Sequence, residues 1–327
     1  MLGMRDDRWQ RERIIEIGLL NNMPDPALEA TERQFLNLLA AAAGELPVRV
    51  HLFSLAAIPR GDAARSRLKG IYSCASAVAA KGLDALIVTG TEPRAASIEQ
   101  EPYWHSLANL IDWAEHNTIS TIWSCLAAHA AVFHLDGVRR RPLTDKRFGL
   151  FDCNRTGPAA AMLAGLPSTI QLPHSRWNEL SEGDLVTHGY DILTRSSAVG
   201  VDIFTKKWRS LFVLFQGHPE YDVDTLLREY RRDIGRFLRG DRSEFPTKPE
   251  GYFDGKSEKA LRTYEALCRM HRRPELLEKF PTCTTLRSQS VRSWRASAQV
   301  LFKNWLSYIA AMKGVRPRAC STPETFK

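Results

Sequence analysis

Short apolar runs alternating with helix-patterned segments constrain this chain more than any other feature. Residues 14–20 (Ile-Ile-Glu-Ile-Gly-Leu-Leu) read as a buried strand running into the loop Asn21-Asn22-Met23-Pro24-Asp25-Pro26. The pattern after it predicts a helix with Glu29, Glu32 and Gln34 on one side and Phe35, Leu36, Leu38 and Leu39 on the other. Residues 48–53 alternate as a second strand, 83–90 form an apolar run ending in Thr-Gly, and 120–124 form another strand. Helical composition fills 103–116 and 126–134. Such alternation predicts an α/β fold, a parallel-sheet sandwich with helices on both faces. Ligands gather beyond the carboxyl ends of strands in such sheets, so residues 21–24, 89–90 and Cys125 are expected on one rim.

The second half is less regular. Residues 211–215 make an apolar strand that ends in Gln216-Gly217-His218-Pro219-Glu220, and an amphipathic helix is expected over 225–238. Residues 240–280 are rich in Lys, Arg and Glu, with one helix over 257–273, and residues 294–312 return to helical, aromatic-rich character. We therefore expect a core over 1–239, a charged helical insertion over 240–280 and a C-terminal segment, 281–327, that packs back on the core.

With 44% hydrophobic and 25% charged residues in 327, the chain is neither disordered, collagen-like nor a membrane bundle. The 45 Lys+Arg against 37 Asp+Glu leave a net charge of +8, concentrated at Arg139-Arg140-Arg141, Arg231-Arg232 and Arg272-Arg273. Without a zinc-finger, helix-turn-helix or RNA-binding pattern, that charge suits an anionic cofactor or acyl donor better than nucleic acid. Six scattered cysteines show no CxxC pair and no metal-ligand spacing. The charged residues 1–13 are no secretory signal, and no run of ~18 apolar residues spans a bilayer. The expectation is a reducing, cytoplasmic location with free thiols, no metal and no membrane partner.

Cys125, at a strand end and followed by small helix formers, fits a nucleophile elbow. The helix N-terminus favours the thiolate, and the backbone N–H of Leu126 would serve an oxyanion hole. Alone, such a cysteine is more often a buried structural one, the reading kept for Cys74, Cys153, Cys268, Cys283 and Cys320. His218 follows a second strand and should reach the same rim, with Glu220 two residues on to orient it. Nucleophile, base and orienting acid together favour a Cys-His-Glu triad over solvated turn residues.

The segments Asn21-Asn22-Met23-Pro24, Ile87-Val88-Thr89-Gly90, Tyr103-Trp104, Cys125, Pro173-His174-Ser175-Arg176, Gly217-His218-Pro219-Glu220-Tyr221-Asp222 and Ser293-Trp294-Arg295 occur in that order. In this the chain resembles the homoserine O-succinyltransferase family, from about residue 14 to 308. The resemblance implies a class I glutamine amidotransferase-like, flavodoxin-like fold and a methionine-biosynthetic enzyme. It implies transfer of an acyl group from coenzyme A to L-homoserine, with no cofactor besides that co-substrate, in a homodimer. It assigns Cys125 the acyl-thioester, His218 the general base and Glu220 the orienting acid, and it places Lys146, Ser175 and Arg232 at the substrate site.

Three departures from the family stand out. Asp25 follows Met-Pro where the family usually has lysine, in a loop about two residues longer. Arg94 occupies the position tied to the choice of acyl donor. It suits the free carboxylate of a succinyl group and reads equally as a solvated loop arginine. The insertion 240–280 is longer than expected. Acetyl-CoA as donor and L-serine or another hydroxy-amino acid as acceptor therefore stay open. A glutaminase-type amidotransferase is weaker, because Trp123-Ser124-Cys125-Leu126-Ala127 lacks the glycines that usually flank that nucleophile. A non-catalytic metabolite-binding descendant would have no reason to keep Cys125, His218 and Glu220 together.

Overall fold

A computed structural model of the chain describes residues 14–95, 97–157, 161–281 and 293–314. Cys283, Cys320 and residues 1–13 lie outside the described residues. In chain order the elements are β1 (Ile15–Leu20), α1 (Asp25–Ala43), β2 (Val48–Ser54), α2 (Asp62–Leu68), β3 (Ser73–Cys74), β4 (Ala85–Val88), α3 (Trp104–Asn117), β5 (Ser120–Ser124) and α4 (Leu126–Asp136). They continue with β6 (Arg141–Arg155), β7 (Thr169–Glu179), α5 (Glu182–Thr187), β8 (Asp191–Ile192), β9 (Thr194–Ser196), β10 (Gly200–Val201), β11 (Ile203–Lys207) and β12 (Leu211–Phe215). Helices α6 (Thr225–Arg239), α7 (Gly255–His271) and α8 (Ser293–Lys313) follow among the described residues.

An eight-stranded sheet in the order β3-β2-β1-β4-β5-β12-β11-β8 forms the centre. It is parallel from β3 to β12, and β11 pairs antiparallel with both β12 and β8. The central strands β1, β4, β5 and β12 are buried along nearly their whole length because both faces are covered. Ile15, Ile17 and Leu19 of β1 join Phe35 and Leu39 of α1 and Phe302, Trp305 and Ile309 of α8 on one side. Leu20, Leu86 and Val88 pack with Leu107 and Ile111 of α3 and Ala127 and Ala131 of α4 on the other. The α/β sandwich expected from the strand pattern is the architecture found.

One local expectation is corrected. Gln34 faces inward on α1 and donates to Thr225 Oγ1 at 2.7 Å, tying that helix to the start of α6. The irregular middle of the chain forms a second, four-stranded antiparallel sheet, β10-β9-β6-β7. Strands β6 and β7 mix apolar with charged residues and contain Pro142 and Pro173, so no clean period survives in them. That sheet carries Lys146 on β6 and His174, Ser175 and Arg176 on β7.

The stretch 240–280 builds its own apolar cluster around α6. Phe245, Tyr252, Phe253, Leu261 and Tyr264 pack against Tyr230, Ile234 and Phe237. It is pinned to β6 by two backbone bonds, Leu150 N–H to the Glu250 carbonyl (2.8 Å) and Glu250 N–H to the Phe148 carbonyl (2.9 Å). Gly149 lies between them at φ 151°, where a Cβ would stand 2.3 Å from the Glu250 oxygen. Gly149→Ala should therefore destabilise the protein by about 2 kcal/mol or more. Chemical denaturation checks this, and limited proteolysis should cut first within 241–254.

Candidate active site

Strand pairing assembles the site. Strands β5 and β12 are parallel neighbours in register at Ser124 and Phe215, so each chain leaves the sheet at the same level. The Cys125 N–H continues the ladder by donating to the Phe215 carbonyl at 2.8 Å. Cys125 is thus one residue past the end of β5, and His218 is three past the end of β12. Cys125 has a strongly positive φ (53°, ψ −114°), and α4 starts at the next residue. This sharp strand-to-helix turn lifts the side chain above the sheet, the geometry of a nucleophile elbow. Leu126 begins the helix, where a backbone N–H has no partner from a preceding turn. Gly90 lies against that N–H, and a Cβ there would come within 3.1 Å of it.

His218 is buried, and its Nδ1 stands 2.9 Å from Glu220 Oε1, which leaves Nε2 for the Cys125 side. Burial alone would push the imidazole pKa down. The Glu220 carboxylate and the nearby Cys125 outweigh it, and the pKa lies well above the usual histidine value. Tyr221 stacks on the same ring with centroids 4.3 Å apart. Beneath the turn, the buried Asp202 carboxylate accepts the Gly217 N–H at 2.7 Å and lies 3.4 Å from His174 Nε2. Arg176 Nε donates to His174 Nδ1 at 3.4 Å. Cys153 comes close to His174 and Asp202, but the guanidinium occupies the lone pair of Nδ1.

A cavity of about 530 Å³ opens over Cys125. Met23, Pro24, Thr89, Gly90, Leu126, His218 and Glu220 line it, so the strand-end segments expected on one rim do meet. Lys146, Ser175 and Arg232 line it as well. They converge on two acids of α6 that sequence reading missed. Glu229 accepts from Ser175 Oγ (2.5 Å), Tyr221 OH (2.6 Å) and Lys146 Nζ (3.4 Å). Asp233 pairs with Arg232 (2.9 Å) and Lys146 (3.6 Å). Burial raises the Glu229 pKa, but the Lys146 charge and the two hydroxyl donors outweigh it and hold the carboxyl below its usual value. Glu229 stands three residues before Arg232, on the same helix face, and that spacing was a usable signal.

Arg94 is placed differently. Its side chain is exposed on the loop after β4, its N–H donates to Glu101 Oε1 at 2.7 Å, and Glu92 and Pro93 line the cavity beside it. Asp25 turns away from the cavity, accepting from the Gly61 N–H (2.7 Å) and from Arg60 (3.1 Å). Cys74, Cys125, Cys153 and Cys268 are free thiols. No helix among the described residues is long and apolar enough to cross a membrane.

A mostly parallel sheet with an elbow cysteine and a histidine–glutamate pair on the adjacent strand places the chain in the class I glutamine amidotransferase-like fold. A glutamine amidotransferase from Methylobacillus flagellatus has a similar fold, with TM-score 0.52 at 14% identity over 95% of this chain and 98% of that one. Within that class, residues 1–314 match the homoserine O-succinyltransferase family model. The homoserine O-succinyltransferase of Rhodopseudomonas palustris is 48% identical over 93% of this chain and 91% of its own length. That of Methylorubrum extorquens is 46% identical over 91% and 88%. The chain belongs to the homoserine O-succinyltransferase family, a family of O-acyltransferases.

Two buried imidazoles make stability pH-dependent. Burial, then Arg176, pushes His129 down to about 3 and His174 well below its usual value, so both stay neutral in the fold. In the unfolded chain both protonate below about pH 6.5. Folding stability is therefore lost as pH falls, by up to about 1.4 kcal/mol per unit for each imidazole. Asp202, pushed up to about 6 by burial, and His218, held above its usual value by Glu220 and Cys125, act in the opposite direction and together offset about one of them between pH 7 and 5. Denaturant titrations at pH 7 and 5 should show a net loss for the wild type. In His129→Gln that loss should shrink by about 2 kcal/mol.

Proposed function

We propose that the protein is an acyl-CoA:L-homoserine O-acyltransferase that uses succinyl-CoA and forms O-succinyl-L-homoserine for methionine biosynthesis. In our reading it acts in the cytoplasm as a homodimer and needs no cofactor beyond coenzyme A as acyl carrier. The observation that carries the mechanism is the Cys125 elbow facing the His218–Glu220 pair on the floor of a cavity that also holds Lys146, Ser175 and Arg232. The Cys125 thiolate attacks the thioester carbonyl, and the tetrahedral oxyanion lies against the Leu126 N–H at the start of α4. The carbon–sulfur bond to coenzyme A breaks, and protonated His218 gives its proton to the leaving thiolate. One thioester replaces another, so this half-reaction is nearly balanced.

Homoserine then enters. Arg232 suits its carboxylate, and Lys146 and Ser175, held in place by Glu229, flank the hydroxyl. His218 takes the hydroxyl proton, the oxygen attacks the acyl carbon, and the bond to Cys125 Sγ breaks. Glu220 stabilises the imidazolium in both halves. Product release regenerates the thiol, so the kinetics are ping-pong.

Intact-protein mass spectrometry after brief exposure to succinyl-CoA should show a succinyl adduct that is absent in Cys125→Ala. L-homoserine should discharge it faster than L-serine does. An acetyl-only adduct would reassign the donor, discharge by serine alone would reassign the acceptor, and no adduct from either donor would sink the reading. Glu220→Gln should lower kcat by about 100- to 10,000-fold and slow alkylation of Cys125 by iodoacetamide, with KM for the donor little changed.

A further inference from the structure

The triplet Arg139-Arg140-Arg141 joins α4 to β6, and its three side chains part company. Arg139 pairs with Glu99 at 3.0 Å, and Arg141 pairs with Asp184 at 2.7 Å, both on the surface. Arg140 instead lines the cavity, and its Nη1 is shielded from solvent with no hydrogen-bond partner. Four other cations of the cavity wall are occupied. Lys146, Arg232 and Arg236 face Glu229, Asp233 or Glu92, and Arg176 is spent on His174 and the Asn178 and Val199 carbonyls. Glu101, the carboxylate on the neighbouring loop, is held through Oε1 by the N–H groups of Arg94 and Ala95.

His129 sits beside Arg140 in the same wall. Gln216 takes the Leu180 N–H on Oε1 and donates through Nε2 to the Val201 carbonyl, so its amide orientation is set. Its Oε1 faces His129 Nε2 at 3.1 Å, which fixes the Nε2–H tautomer. Nδ1 is then a buried lone pair without a donor. The recess therefore holds an unused guanidinium donor and an unused imidazole acceptor, with no carboxylate paired to either. The charges of Arg140 and Arg176 both reach His129. A shielded guanidinium N–H left without an acceptor is costly unless a ligand completes it.

We propose that Arg140 binds the distal carboxylate of the acyl donor, and so makes the enzyme selective for a four-carbon dicarboxylic thioester. The inference rests on the acyl-transfer reading above and assigns the donor-selecting charge to Arg140 rather than to the exposed Arg94. Length agrees with it. His129 is one turn along α4 from Cys125, about 6 Å of helix rise. The distal carboxyl carbon of a succinyl group is three carbon–carbon bonds of about 1.5 Å each from the thioester carbon. The carboxylate takes the guanidinium fork, and a bridging water or a remaining guanidinium N–H satisfies His129 Nδ1.

The test compares succinyl-CoA with butyryl-CoA, which has the same chain length without the charge, in homoserine-dependent release of coenzyme A thiol. The wild type should prefer succinyl-CoA in kcat/KM. In Arg140→Leu the succinyl-to-butyryl ratio should fall by roughly 10- to 150-fold, the range for losing a hydrogen-bonded charge. Arg140→Lys, which keeps the charge, should recover part of the ratio. A parallel fall with both donors would overturn the proposal, because it is the result for an arginine that holds a coenzyme A phosphate or only supports the fold. A wild type that transfers neither acyl group to homoserine would instead overturn the acyl-transfer reading itself.

Discussion

The parallel pairing of β5 with β12 is the constraint on which the site depends. Register at Ser124 and Phe215 brings two chain segments about ninety residues apart off the sheet at one level, and the bond from Cys125 N–H to the Phe215 carbonyl locks that level. A shift by one residue would turn every strand side chain to the opposite face. Both faces are filled with large apolar groups, including Trp123 stacked on Phe212 with centroids 5.4 Å apart. The packing therefore penalises any slip, and the distance between thiol and imidazole inherits its precision from the core. The positive φ of Cys125 costs about 1–3 kcal/mol. It persists because that ladder bond and the His129 N–H to Cys125 carbonyl bond (3.2 Å) hold it from both sides.

A second requirement is close approach beneath the His-Pro-Glu turn. Gly217 has no positive φ, yet a Cβ on it would stand 2.7 Å from Asp202 Oδ1 and 2.9 Å from the Pro173 carbonyl. Glycine is needed there because the turn lies directly on the second sheet. His218 N–H bonds the Pro173 carbonyl at 2.8 Å, so β7 supports the His218 turn with its backbone. The same strand delivers Ser175 and Arg176 to the cavity. The antiparallel sheet thus backs the His-Pro-Glu turn and supplies part of the cavity lining.

What could be read in advance follows from where the information lies. The first half was legible because parallel strands covered on both faces are continuous apolar runs with chemistry at their ends, as with Thr89-Gly90 and Cys125. Cys125, His218 and Glu220 were legible as a group because each sits at such an end. Strands β6 and β7 were not, because their exposed face and their prolines erase the period. Glu229 and Asp233 were missed for another reason. On a helix as charged as α6 an acid looks solvated until the opposite wall is known, and that wall is Lys146 and Ser175 on the second sheet. Arg140 was hidden inside a triplet that reads as one basic patch, although its neighbours face the surface and it does not.

The net positive charge takes on a different meaning once the cavity is seen. Its walls carry both signs in near balance, with Glu229, Asp233 and Glu92 set against Lys146, Arg232 and Arg236. Paired charges of this kind hold side chains in place, since breaking a pair strands the partner away from water. An amino acid carries one charge of each sign and can enter such a balanced wall by exchanging partners, at little net electrostatic cost. A dicarboxylic acyl group brings only negative charge and needs an uncompensated cation to receive it. The two ends of the cavity differ in this respect. On the α6 side Lys146, Arg232 and Arg236 are ion-paired, and on the α4 side Arg140 has no ion pair, so in the proposed reaction a zwitterionic acceptor and an anionic donor would be sorted by charge before any contact of shape.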